Sequence, residues 1–328
     1  GVLSQATDAD TLALAAAVCL GQSDEEAAPD GASGQRIVTT SWKVGMEVTA
    51  DGGGFHRIVG TTTVPMDWRE QRVRVVKEDR SPGVSISYQT IEDVARQMVV
   101  KIPSLSDGQQ ARAIVTLEIK RLLEEAPAKT EAFRLPNAKR ADRKMASFLG
   151  PSPYIECTSP QVLELAAKVG ADKEKAWEKV EAIYDWVRAN VKFVDNRGGQ
   201  IKGVPETLHD GTGDCDEMSS LFIALCRAKA IPARTVRVPG HVYPEFYLLD
   251  ENGKGRWFPC QAAGTRAFGF MPDPRPVLQR GDKLLVPDPE AGARKKKTVR
   301  YLPDTLVGLP GSGGGKLRLK PVCEQVEP

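Results

Sequence analysis

A chain of 328 residues has room for about two domains and can bury a core without disulfide staples. Lys and Arg number 45 against 43 Asp and Glu, so the formal charge of +2 excludes a general basic field for nucleic acid or acidic lipid. Charged residues at 27% and hydrophobics at 41% exclude a wholly disordered chain, and no apolar run reaches the roughly 18 residues that span a bilayer.

The stretch Thr11–Leu20 (TLALAAAVCL) has the apolar character of an export-signal centre, but Asp8 and Asp10 stand where positive charges belong. It is expected to be a short Ala-rich helix or the remnant of a leader. An extracytoplasmic location, periplasmic or secreted, is the expectation that follows. Residues 21–35 are polar and rich in Gly, Ala and Ser, so 1–35 reads as a terminal segment and linker.

From Arg36 onward, strand-like runs (RIVTTSWKV, FHRIVGTTTV, QRVRVVKE, VSISYQ, MVVKI, ARAIVTLEIKRL) alternate with turn signals at Asp51–Gly54, Ser81–Gly83 and Ser104–Gly108. Residues 36–125 therefore predict an all-β, sandwich-like domain with no convergence of reactive groups. The charged, Pro-interrupted residues 126–157 read as a linker.

Helical period then begins. Thr158-Ser159-Pro160 opens a helix that runs to Val169 and ends at Gly170. A second helix follows Asp172, with a stripe of Ala176, Val180, Ile183 and Val187 flanked by Trp177 and Tyr184. Trp186 is read as packing. The loop Gly211-Thr-Gly-Asp214 leads into an apolar helix from Cys215 to about Lys229. Next come a strand over Arg234–Val238 and a hairpin with arms Val242–Leu249 and Arg256–Gln261. Residues 271–328 are expected to be a Pro/Gly-rich extension, with Arg294–Lys297 as a solvated basic loop and Gly311–Gly315 as a flexible tail.

There are six cysteines and three histidines, with no CxxC pair, so neither a disulfide scaffold nor a zinc site is expected. No organic cofactor and no calcium loop is indicated. Cys215 stands apart because it opens a helix. Backbone N–H groups and the positive helix end favour a thiolate there, and the same groups suit an oxyanion. Cys226 lies about three turns further along the helix and is read as core, as is Cys260. His241 heads a strand whose alternation puts it on one face with Tyr243, Glu245 and Tyr247. Gln261, opposite position 243 or 245 depending on register, falls on that same face and suits the role of orienting the imidazole. His56 and His209 have no comparable setting. The expected cleft residues are Asp214, Tyr243, Glu245, Tyr247 and Trp257.

Gly211-Thr-Gly-Asp-Cys215, the helix ending in Ile231-Pro-Ala-Arg234, His241-Val-Tyr-Pro-Glu245 and Trp257-Phe-Pro-Cys-Gln261 together resemble the transglutaminase-like superfamily, in the manner of bacterial transglutaminase-like domain proteins. The resemblance covers about residues 175–265. It implies an α+β fold with a papain-like core, in which a helix bearing the cysteine packs on an antiparallel sheet, here following an N-terminal all-β domain. It further implies a catalytic domain over 158–270, with Cys215 as nucleophile, His241 as base and acid, and Gln261 where the family usually has Asp. An amide accepts the imidazole hydrogen bond but adds no negative charge. The expected activity is cysteine-dependent acyl transfer on peptide or side-chain amides through a thioester, with water as the favoured acceptor. Protein cross-linking and a non-catalytic binding module are the alternatives. The partner is expected to be a protein or peptide substrate. No nucleic acid is expected, and the partner of the β domain is unknown.

Overall fold

The computed structural model describes residues 35–196, 199–288, 292 and 294–327. The expected helix at 11–20 and nearly all of the first linker lie outside these residues. The first six strands fall where the turn signals place them: β1 (Arg36–Asp51), β2 (Phe55–Val64), β3 (Gln71–Arg80), β4 (Ser85–Ile91), β5 (Ala95–Leu105) and β6 (Gln110–Leu123). Trp42, Val44, Met46 and Val48 of β1 alternate inward, as period two requires, against Ile58, Met98 and Val100 of the facing strands. Only the start of β3 is buried. As the edge strand of its sheet it is exposed from Arg74 onward, and its pairing with β6 shifts register between Val75 and Lys77.

The α+β half contains α1 (Arg143–Ala146), α2 (Pro160–Lys168), α3 (Ala176–Asn190), β7 (Lys192–Phe193), α4 (Val204–Asp210), β8 (Thr212–Gly213) and α5 (Cys215–Ala228). After these come β9 (Ala233–Val238), β10 (His241–Leu249) and β11 (Gly255–Pro259). Helix α5 packs on the β9–β10–β11 face through Leu221, Phe222 and Leu225, against Val242, Phe246, Leu248 and Phe258. Trp177 completes this core, with edge-on ring contacts to Phe246, Phe258 and Phe268 at 5.1–5.6 Å between centroids. The stripe Val180, Ile183 and Val187 is buried as its period predicts, and Trp186 packs partly against it.

The expected C-terminal extension is where the structure departs from the sequence reading. Strands β12 (Gln279–Arg280), β13 (Leu284–Pro287), β14 (Lys296–Val299), β15 (Thr305–Pro310) and β16 (Lys316–Val326) lie beyond residue 271. Strand β16 pairs with β1 from Ser41↔Val326 to Asp51↔Lys316, giving an antiparallel sheet in the order β16-β1-β6-β3. Strand β12 bridges β9 and β5, and β15 pairs with β2. A single eight-stranded sheet (β11-β10-β9-β12-β5-β2-β15, with β4 on β5) therefore runs from the hairpin into the sandwich. Gly311–Gly315 is thus not a tail: it carries the chain from β15 in one sheet to β16 in the other. The physical reason is burial, since Leu306 and Leu317 fill the sandwich core. Lys296 and Lys297 are exposed as expected, but in β14 rather than in a loop. Among the described residues no helix is long and apolar enough to cross a membrane.

Candidate active site

The segment before Cys215 is held on both sides. Helix α4 begins with Pro205 in its first turn and ends at Gly211, which takes the left-handed conformation at φ 66°. The next residues form a short parallel pairing with β7, with Lys192 N–H donating to Gly211 O at 2.9 Å and Val194 N–H to Gly213 O at 3.0 Å. A Cβ at Gly213 would lie 2.7 Å from Glu217 Cβ, so only glycine lets the loop turn so close to the helix.

Asp214 is the N-cap of α5. Its carboxylate accepts the Asp216 N–H at 2.8 Å, while Glu217 accepts the Asp214 N–H at 2.8 Å, a reciprocal capping box. Cys215 is then the first helical residue. It is 9% exposed, more enclosed than an open helix mouth. Its sulfur and the carboxylate oxygens of Asp214 and Asp216 lie within 4.8 Å of one another. Burial, aided by the neighbouring Glu217 and Asp216, pushes the Asp214 carboxyl up to about 8. Burial would raise Glu217 as well, but its bonds to Asp214 and to the Lys202 N–H at 3.0 Å hold it below the ordinary carboxylate value.

Asp216 is engaged from the C-terminal part of the chain. Tyr301 donates its hydroxyl to Asp216 at 2.5 Å, and Arg300 stands 3.3 Å from the same carboxylate while donating to Ser220 Oγ at 2.6 Å. The negative charge around the sulfur is thereby countered by a guanidinium that is itself buried.

His241 follows a two-residue hairpin turn. Val238 pairs with His241 across Pro239-Gly240, and Gly240 at φ 68° supplies the left-handed position that a Pro-Gly turn needs. The ring Nε2 lies 2.9 Å from Gln261 Oε1. An amide oxygen only accepts, so Nε2 donates and Nδ1 keeps the lone pair of the neutral ring. Glu245 pairs with Pro259, and continuing this register sets Gln261 opposite Tyr243, one of the two alternatives read from the sequence. Gln261 is fixed through its backbone: its N–H donates to Ala267 O at 2.8 Å and its carbonyl accepts from Arg188 at 3.0 Å. Helix α5 is tied to β10 by Ser219 Oγ at 3.5 Å from Val242 O.

The other expected cleft residues separate. Asp214 stays beside Cys215. Tyr243, Glu245 and Trp257 line a cavity of about 670 Å³ that has none of Cys215, His241 or Gln261 in its wall. Tyr247 lines a smaller cavity of about 250 Å³ with Leu249 and Met145. Cys226 and Cys260 are buried, and burial pushes both thiols up.

Two supporting pairs escaped the sequence reading. Asp273 receives the Arg275 N–H and guanidinium, and Arg275 donates to Pro239 O at 2.9 Å, pinning the turn before His241. Burial would raise the Asp273 carboxyl, but Arg275 holds it below its ordinary value, so it places a negative charge near His241. The Asp-Pro-Arg turn was a usable local signal for this pair. Arg300 and Tyr301 had no such signal.

Residues 163–262 match the model of the transglutaminase-like superfamily, and this part of the chain is a transglutaminase-like domain. Among solved structures, the chain is similar to a candidate cysteine protease from Cytophaga hutchinsonii. That match has 19% identity and a TM-score of 0.55, and it covers 90% of this chain and 93% of that one. The periplasmic domain of TgpA from Pseudomonas aeruginosa, bound to ethylmercury, matches at 12% identity and a TM-score of 0.33 over 68% of this chain and 89% of that one. The first of these likenesses shows that the shared fold extends across the β-rich half as well as the transglutaminase-like core. No curated protein sequence matches the chain.

Proposed function

We propose that the chain is a cysteine-dependent acyl-transfer enzyme acting on peptide or side-chain amides, with water as the acceptor. The observation that carries this reading is the 2.9 Å bond from His241 Nε2 to Gln261 Oε1, which supports Nδ1 as the ring nitrogen that accepts a proton. In this reading Nδ1 takes the Cys215 proton, and the sulfur attacks the amide carbon. As the tetrahedral intermediate collapses, the C–N bond breaks and the amine leaves with the proton from His241. The resulting thioester is hydrolysed when His241 removes a proton from water, whose oxygen replaces sulfur at the acyl carbon. The Asp214 side chain already occupies the Asp216 N–H, so oxyanion stabilisation falls to other donors at the helix end.

The test is iodoacetamide alkylation of the native protein from pH 5 to 9, with each cysteine resolved by mass spectrometry and the series repeated on His241→Ala. Selective labelling of Cys215 near neutral pH, slowed in the variant, is the expected result. Uniformly slow labelling, unaffected by the substitution, overturns the reading and leaves a binding module on an enzyme's fold.

A further inference from the structure

The 670 Å³ cavity lies where the sandwich meets the hairpin, with Trp68, Glu70 and Arg121 on one side and Arg234, Glu245 and Trp257 on the other. Arg280 of β12, the strand that joins the two halves, completes the wall. Its charges do not balance. Arg234 pairs with Glu245 at 2.7 Å, and Arg280 reaches both Glu70 and Glu245. Arg121 is only 3% exposed, yet its nearest carboxylate is Glu70 at 3.6 Å, which Arg280 already uses. Three buried guanidiniums therefore share two carboxylates, leaving one positive charge in excess.

Among the described residues that line the cavity, the unsatisfied polar side-chain atoms are of one kind. Arg121 Nε and Nη1, Arg280 Nε and Trp68 Nε1 are buried without a hydrogen-bond partner, and all four are donors with no capacity to accept. An unmatched buried guanidinium is costly, and a bound acceptor relieves it. The rest of the wall carries Arg69, Lys254 and Arg256 against Glu124, Glu125 and Asp250, which leaves the excess at one positive charge, and an aromatic and apolar patch. Arg280 stacks over the Trp68 ring at 4.8 Å and Arg234 over Trp257 at 3.9 Å, with Tyr243, Phe258 and Met271 beside them.

We propose that this cavity binds a carboxylate carried on an apolar or aromatic body: a small carboxylic acid or the carboxylate end of a short peptide. One excess charge matches a monoanion, whereas a phosphate dianion would overshoot it. The volume is that of an ordinary small-ligand site. The Arg121 guanidinium turns on binding, because its unpartnered Nε and Nη1 are buried within the protein. The site does not depend on the thiol chemistry proposed above.

The experiment is calorimetric titration of the full chain with N-acetylphenylalanine, its uncharged amide, and inorganic phosphate, on the wild type and on Cys215→Ala. The acid is expected to saturate on both proteins, with the amide at least about tenfold weaker, the loss of one charged hydrogen bond, and phosphate giving no saturation. Arg121→Met is expected to weaken the acid by about tenfold or more. On the wild type, the indole N–H resonance of Trp68, identified with Trp68→Phe, is expected to shift on adding the acid, which reads the site even if Arg121→Met fails to fold. Equal binding of acid and amide, saturation by phosphate in place of the acid, or an unmoved Trp68 resonance overturns the proposal.

Discussion

His241 and Gln261 meet at 2.9 Å across the open end of the hairpin, just beyond the end of strand β11 at Pro259. Their bond is held by the Gln261 backbone, through Ala267 and Arg188, and by the Cys260 N–H, which donates to Pro244 O at 3.1 Å. Gln261→Ala is expected to leave the fold intact and slow Cys215 alkylation by about tenfold to a hundredfold, the range for losing one orienting hydrogen bond. Gln261→Asn, one methylene shorter, is expected to lose most of the same effect. Equal alkylation rates for wild type and Gln261→Ala would show that the ring needs no orienting partner.

Asp214 links the stability of helix α5 to the reactivity of the Cys215 thiol. Its carboxyl is pushed up to about 8, first by burial and then by its acidic neighbours, whereas in an unfolded chain it titrates near 3.9. Between these values the folded state holds a proton that the unfolded state has lost. Stability from this group therefore falls as pH rises from about 4 to 8. Deprotonation near pH 8 also places a charge within 4.8 Å of the sulfur. Asp214→Asn keeps a good N-cap and removes both effects. Urea midpoints of the variant should decline less over this interval, and its alkylation profile should lack an inflection near pH 8. A variant profile that superimposes on the wild type rules out this coupling.

Arg227 and Asp282 form an ion pair with 0% and 1% side-chain exposure, at 2.8 Å. Asp282 also accepts from Ser152 Oγ at 2.7 Å and from the Thr235 N–H at 3.0 Å. It thereby joins α5, β9 and the segment after β12. Burial alone would raise its carboxyl, but Arg227 and Ser152 hold it below the ordinary carboxylate value. Its contribution is therefore complete above about pH 4 and lost as pH falls through the depressed folded value. Asp282→Ala, which strands Arg227, is expected to cost about 3–5 kcal/mol near neutral pH. The gap in urea midpoint between variant and wild type should narrow in acid. A gap that is constant down to pH 2 would mean that Asp282 acts by shape and not by charge.

The parts of the site that were readable are those built from local rules. The helix start at Cys215 and the alternation of β10 each follow from a few adjacent residues. Helix α4 was missed although Pro205 and Gly211 bracket it, because its seven residues carry too little apolar period. The grouping of Tyr243, Glu245 and Trp257 with His241 rested on alternation alone. Alternation selects a face of the sheet but not a position along it, so these residues ended in a separate cavity. The return of the C-terminus was hidden for another reason. In Lys316–Val326 only Leu317 is fully buried, and charged residues at 316, 318 and 320 make the strand resemble a solvated tail.

That return gives the last prediction. Strand β1 is flanked by β6 on one side and β16 on the other, and its pairing with β16 runs over eleven residues. Truncation after Pro310 would leave β1 as a long open edge beside a gap in the sandwich core where Leu317 sat. Amide hydrogens of β1 that face β16 are expected to exchange at rates near those of an unfolded chain, and the truncated protein should self-associate by light scattering. Leu317→Ala is the milder version, expected to cost about 2–4 kcal/mol while keeping the pairing. If the truncated chain remains monomeric with β1 still protected, the sandwich closes without its C-terminal strand, and the residues beyond Pro310 are then no part of its folding unit.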